Sequence, residues 1–137
     1  MKFSKYIYIV FCVALISCSQ KTLTVNSSVK RINYPGIASA SPFIGYEINF
    51  ESSNNFKIDK VKLNNNEIIE YSLYNFTTRN SISGDNLLNK GKYTLSFKLK
   101  SISGIDEEDA VVISVFNNEK KEKITANIIK KPPFRGR

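Results

Sequence analysis

The stretch that most restricts the fold is residues 92–100, KYTLSFKLK. Tyr93, Leu95, Phe97 and Leu99 alternate with Lys92, Thr94, Ser96, Lys98 and Lys100. A period of two places the first set on one side of a strand and the second on the other. On a helix the same spacing would scatter the apolar groups around the whole circumference. The chain therefore holds a sheet with one face on a core and one in water, the habit of antiparallel sheets.

Other segments extend the pattern. In residues 44–50, Ile44, Tyr46, Ile48 and Phe50 point inward, with Glu47 and Asn49 outward. Residues 110–116, AVVISVF, are apolar on both faces and predict a central strand. NNEKK then forms a polar turn, and EKITANIIK (122–130) returns with Ile124, Ala126 and Ile128 on one face, completing a hairpin. Within FKIDKVKL (56–63) the inward parity changes between Ile58 and Val61, which predicts a β-bulge. Asn64 to Asn66 is a turn, because asparagine tolerates positive φ, and EIIEYSLYNF (67–76) is the return strand. Val29 to Asn33 reads as an edge strand before Tyr34-Pro35-Gly36, where Pro and Gly occupy the positions that suit a type II turn. DNLLNKG (85–91) has room for one helical turn before Gly91.

About seven short strands without a convincing amphipathic helix predict an all-β antiparallel sandwich of immunoglobulin-like type, with a small barrel as the alternative. Gly91-Lys92-Tyr93-Thr94-Leu95 resembles the G-x-Y-x-L strand opening common in bacterial sandwich modules. The Cys…Trp…Cys hallmark of true immunoglobulin domains is absent, because the sequence has no tryptophan.

The N-terminus has a different logic. Lys2 and Lys5 precede residues 6–16, YIYIVFCVALI, a run without charge. As a helix it spans about 16 Å, too short for a bilayer core of roughly 30 Å. It also lacks the polar face and cap of a buried core helix. A basic start, a short apolar run and small residues behind it describe a secretory signal. Leu15-Ile16-Ser17-Cys18 resembles the lipobox of bacterial lipoproteins. That resemblance implies a thioether from Cys18 to diacylglycerol, cleavage between Ser17 and Cys18, and acylation of the new amino group. Cys12 is then discarded. Removing residues 1–17 of the 137 leaves 120 residues with one cysteine, so no intramolecular disulfide forms and the core must suffice. The expected organisation is a signal peptide at 1–17, a lipidated tether at 18–27, a sandwich at 28–130 and a basic tail at 131–137. No acidic cluster follows Cys18, which favours the outer membrane, facing the periplasm.

Composition narrows the chemistry. The sequence contains no histidine, which removes the commonest general base and the Ser-His-Asp and Cys-His arrangements. With Cys18 lipidated, ordinary zinc and copper sites are also excluded, and no cofactor is expected. The reading is therefore not an enzyme, a carboxylate pair being the one catalytic alternative. Asp106, Glu107, Glu108 and Asp109 lack the alternation and glycine of a calcium loop and read as a solvated loop. Tyr71, Tyr74 and Phe76 read as core, with a binding surface as the alternative.

The C-terminal end is basic: Lys120, Lys121, Lys123, Lys130, Lys131, Arg135 and Arg137 stand against Glu119 and Glu122. Consecutive prolines in KKPPFRGR remove ladder donors, so this end is expected to be a tail. Nucleic acid is the usual partner of such a tail, but an exported, anchored protein does not meet it. Acidic envelope polymers or lipid headgroups remain, each Lys or Arg near an anionic membrane contributing about 1 kcal/mol. Two functions follow: a non-catalytic interaction or accessory module anchored to the envelope, or a binder of glycan or acidic polymer through the seven basic residues.

Overall fold

The computed structural model describes residues 22–37, 39–82 and 86–135. The described chain forms β1 (Leu23–Tyr34), β2 (Phe43–Ser52), β3 (Lys57–Leu63), β4 (Asn66–Glu67), β5 (Ser72–Asn75), β6 (Asn80–Ile82), β7 (Gly91–Leu99), β8 (Ala110–Asn117), β9 (Lys120–Asn127), β10 (Ile129–Lys130) and β11 (Phe134–Arg135). One sheet runs β10-β1-β2-β7-β5-β6, with β11 also on β1; the other runs β4-β3-β8-β9. The seven longer or central strands β1, β2, β3, β5, β7, β8 and β9 take the places A to G of an immunoglobulin-like sandwich, ABED against CFG. The signal run, Ser17, Cys18 and Arg137 lie outside the described residues.

Alternation decides the packing. Tyr93, Leu95 and Phe97 of β7 and Ile44, Tyr46, Ile48 and Phe50 of β2 are buried, facing Ile58, Val61 and Leu63 of β3 and Val111, Ile113 and Val115 of β8. Aromatic rings fill the middle. Phe50 and Phe56 each meet Tyr93, at 5.8 and 5.2 Å, and Tyr46 stacks on Phe97 at 4.7 Å. The bulge expected in β3 falls between Ile58 and Lys60. Asn64 and Asn65, and then Asn118 and Glu119, take positive φ in pairs and close the β3–β4 and β8–β9 hairpins.

Several expectations change. The first strand begins at Leu23, within the segment read as tether, and lies inside its sheet between β2 and β10 rather than at an edge. Its register slips between Val25 and Ser27, so Leu23 and Val25, then Ser28, Lys30 and Ile32, point inward. Two of those inward positions are polar, which hid the part of the strand before Val29. EIIEYSLYNF is not one return strand. Its start is β4 in the small sheet and its end is β5 in the large one, so residues 68–71 cross between layers. Instead of a helical turn, Leu88 forms an antiparallel bridge with Phe56, exchanging backbone hydrogen bonds of 2.9 and 2.7 Å. Gly91 is the glycine at positive φ among the described residues, so Pro35-Gly36 does not form a type II turn.

The basic end is not a free tail. After β9 the chain passes through Ile128 into β10, which pairs in parallel with β1 at Val29 and Lys30. Lys131 N donates to Lys30 O at 2.8 Å. Pro132 and Pro133 lie outside any strand, and β11 then pairs in parallel with Asn33 and Tyr34. One side of the sandwich is thereby stitched from one sheet to the other.

Candidate binding groove and a buried charge network

Lys30 is 2% exposed, between the sheets. Its Nζ donates to Asp109 Oδ2 at 2.7 Å, to Glu107 O at 2.6 Å and to Gly104 O at 3.3 Å. An ammonium has three hydrogens, and each has an acceptor. Asp109 Oδ2 also accepts from the Tyr46 hydroxyl at 2.7 Å, and Oδ1 accepts from Asn64 Nδ2 at 2.6 Å. Asn64 Oδ1 in turn accepts from Ala110 N at 2.9 Å. Burial pushes the Asp109 carboxyl up, but the hydrogen bonds from Lys30, Tyr46 and Asn64 outweigh it and hold the group below the usual carboxylate range. Burial, reinforced by Asp109, pushes the Tyr46 phenol far above its ordinary value.

With every hydrogen of the ammonium engaged, this cluster fastens β1, β2, the β3–β4 turn and the β7–β8 loop to each other. For the acidic loop, read as solvated, it changes one residue of the four. Asp106, Glu107 and Glu108 are exposed, whereas Asp109 is buried. Asp106 pairs with Lys130, whose hydrogen bond holds the carboxyl below its usual range. Among the described residues no group of three or more His, Cys, Asp or Glu side chains is placed to hold a metal ion.

The outward side of the large sheet carries a groove of about 710 Å³. Cross-strand register builds its floor. Arg31, Gly45 and Lys98 form one row; Val29, Glu47, Ser96 and Ser72 form the next. Gly45 leaves the centre without a side chain, and a Cβ there would lie 2.7 Å from Asn33 Nδ2. Lys98 Nζ sits 5.3 Å from the centre of the Phe43 ring. The crossover from β4 to β5 supplies the wall through Ile69, Glu70 and Tyr71. Ile69 is 84% exposed, and Tyr71 packs partly against the core. Arg31 and Lys98 thus flank an open floor, with Glu47 in the next row and Glu70 on the wall, beside an exposed aliphatic side chain, a pattern that suits a partner bearing charges of both signs next to an apolar group.

The residues singled out in the sequence are dispersed. Lys120, Lys121 and Lys123 lie on β9, Lys130 and Lys131 at β10 and just beyond it, and Arg135 on β11. Arg135 stacks over Tyr34 at 5.1 Å. The six described basic residues are thus spread over β9, β10 with the residue after it, and β11, and Arg137 lies outside the described residues. Of the three aromatics, Tyr71 lines the groove, while Tyr74 meets Phe76 edge-on at 5.3 Å and Phe76 is exposed. Sequence reading missed Arg31, Gly45 and Lys98. The available signal was Gly45, a glycine inside a strand, which marks a close approach or an open floor.

Compared with protein-family models, with curated proteins and with solved structures, the chain matches none.

Proposed function

We propose that this protein is a non-catalytic interaction module, lipid-anchored through Cys18 in the bacterial envelope and most at home on the periplasmic side of the outer membrane. The observation that carries the interaction role is the groove: Arg31 and Lys98 on either side of Gly45, with Ile69 exposed at its rim. An envelope protein presenting an acidic side chain toward Arg31 and Lys98 and a basic one toward Glu47 and Glu70, beside an apolar group, fits that surface. The lipobox-like Leu15-Ile16-Ser17-Cys18 supports the anchor.

Two measurements test the reading. An alkyne fatty acid fed to cells should label the wild type and leave Cys18→Ala unlabelled; label that survives the substitution defeats the anchor. A photo-crosslinking amino acid at position 69 should give a discrete adduct in the envelope. Gly45→Val, which fills the floor, should remove most of that adduct. An adduct indifferent to Gly45→Val would place the interaction elsewhere. The other reading, a glycan or acidic polymer held by the basic C-terminal end, draws support from Lys120, Lys121 and Lys123 being neighbours on β9.

A further inference from the structure

The outward side of the small sheet carries a charge pattern that neither the groove nor the buried network uses. Three cross-strand rows run over β3, β8 and β9: Lys57, Phe116, Lys121; Lys60, Ser114, Lys123; and Lys62, Val112, Thr125. Their chain neighbours Ile58, Val61, Val111, Ile113 and Val115 fill the core, so these rows lie on the outward side, with Ser114 buried at the centre of its row between Lys60 and Lys123. Two acidic groups accompany the five lysines. Asp59 Oδ2 is 3.1 Å from Lys121 Nζ, and Glu67 stands opposite Lys62. Phe116 is 40% exposed in the row nearest the β8–β9 turn, where Lys120 and Glu119 close the hairpin.

The chain enters the fold beside that same row. Thr22 Oγ1 donates to Glu122 Oε1 at 3.0 Å and accepts from Asn117 Nδ2 at 2.9 Å. Ser53 N donates to Thr22 O at 2.9 Å. Asn117 and Glu122 directly follow Phe116 and Lys121. From Thr22 back to Cys18 is four residues, a reach of about 14 Å at most.

We propose that the lysine face lies on the anionic phospholipid surface in which Cys18 is anchored. This rests on the lipid attachment proposed above. A short tether holds the face within contact range, so weak headgroup interactions become effectively intramolecular. Charge complementarity then selects the lysine face over the groove face. Phe116 sits where it can enter the headgroup layer. The groove, on the outward side of the other sheet, points away from the bilayer and stays open to a partner.

Because the sequence has no tryptophan, Phe116→Trp and, separately, Ile69→Trp each introduce a single fluorophore. The full lipidated protein is reconstituted in vesicles of phosphatidylethanolamine and phosphatidylglycerol containing nitroxide-headgroup lipid. Quenching of Phe116→Trp should exceed that of Ile69→Trp several-fold and fall in about 0.5 M salt. Adding Lys60→Glu and Lys123→Glu should bring it to the Ile69→Trp level. Equal quenching at both positions, or the same quenching in neutral phosphatidylcholine, overturns the proposal. So does a spectral shift with soluble heparin in the absence of any vesicle effect, which would make the face a polymer site. Flotation separates the two readings. Protein that floats with vesicles but shows no selective quenching defeats the orientation alone. Protein that does not float, with Cys18→Ala behaving identically, defeats the anchor and the orientation together.

Discussion

Lys30 and Asp109 are one pair of charges withdrawn from water, and their contribution lies mostly in what happens when one is removed. A buried partner left alone costs about 3–5 kcal/mol, whereas replacing both with apolar groups is often close to neutral. Asp109→Asn is therefore expected to lower the urea-unfolding free energy by about that amount, and Lys30→Met to do likewise. The double substitution Lys30→Met with Asp109→Leu should recover only part of the loss, because the Tyr46 hydroxyl and the Asn64 amide are left without their acceptor. The pH dependence has a definite sign. Folding lowers the Asp109 pKa, so its stabilisation is complete above the unfolded value of about 3.9 and disappears as pH falls through the folded one. Urea midpoints measured downward from pH 5 should drop more steeply for the wild type than for Asp109→Asn. None of this was legible in the sequence. The partners are 79 residues apart, and an inward lysine looks the same as an outward one until the bulge between Val25 and Ser27 fixes its side.

Elements were legible where the chemistry is local. Period-two alternation located β2 and β7, the parity change located the β3 bulge, and asparagines located the turn before β4. Elements depending on distant backbone stayed hidden. β10 and β11 have two residues each and exist because β1 offers them hydrogen-bonding groups in parallel. Prolines at 132 and 133 rightly excluded a continuous strand there, yet left Phe134 and Arg135 free to pair. A chain ended after Lys131 loses β11 and the Arg135–Tyr34 stacking. It should keep its fold and melt about 5 °C lower by circular dichroism, the shift expected for roughly 1 kcal/mol in a domain of this size. An unchanged melting temperature would show that β11 contributes nothing.

At the scale of the molecule, the described residues of the two sheets share one core. Phe50 lies at its middle, fully buried against Phe56 and Tyr93. Phe50→Ala should cost about 3–5 kcal/mol and lower protection of β2 and β8 amides together in hydrogen exchange. Loss confined to the β2 sheet would mean that the layers open separately. Fold class was legible here because seven alternating or apolar segments leave few ways to bury their faces. The groove was not, because its floor is assembled from β1, β2, β5 and β7 by register alone.

The seating of Thr22 also sets how the molecule bears load. A pull on the N-terminus acts along the axis of β1, whose pairing with β2 runs from Leu23 to Asn33. Antiparallel ladder bonds lie perpendicular to the strands. Tension between an N-terminus anchored as proposed and a partner bound at the far end of that sheet would therefore strain many rungs at once, in shear, instead of peeling them one after another. Mechanical toughness of that kind is a property of direction, and here the direction is set by where the chain begins to pair.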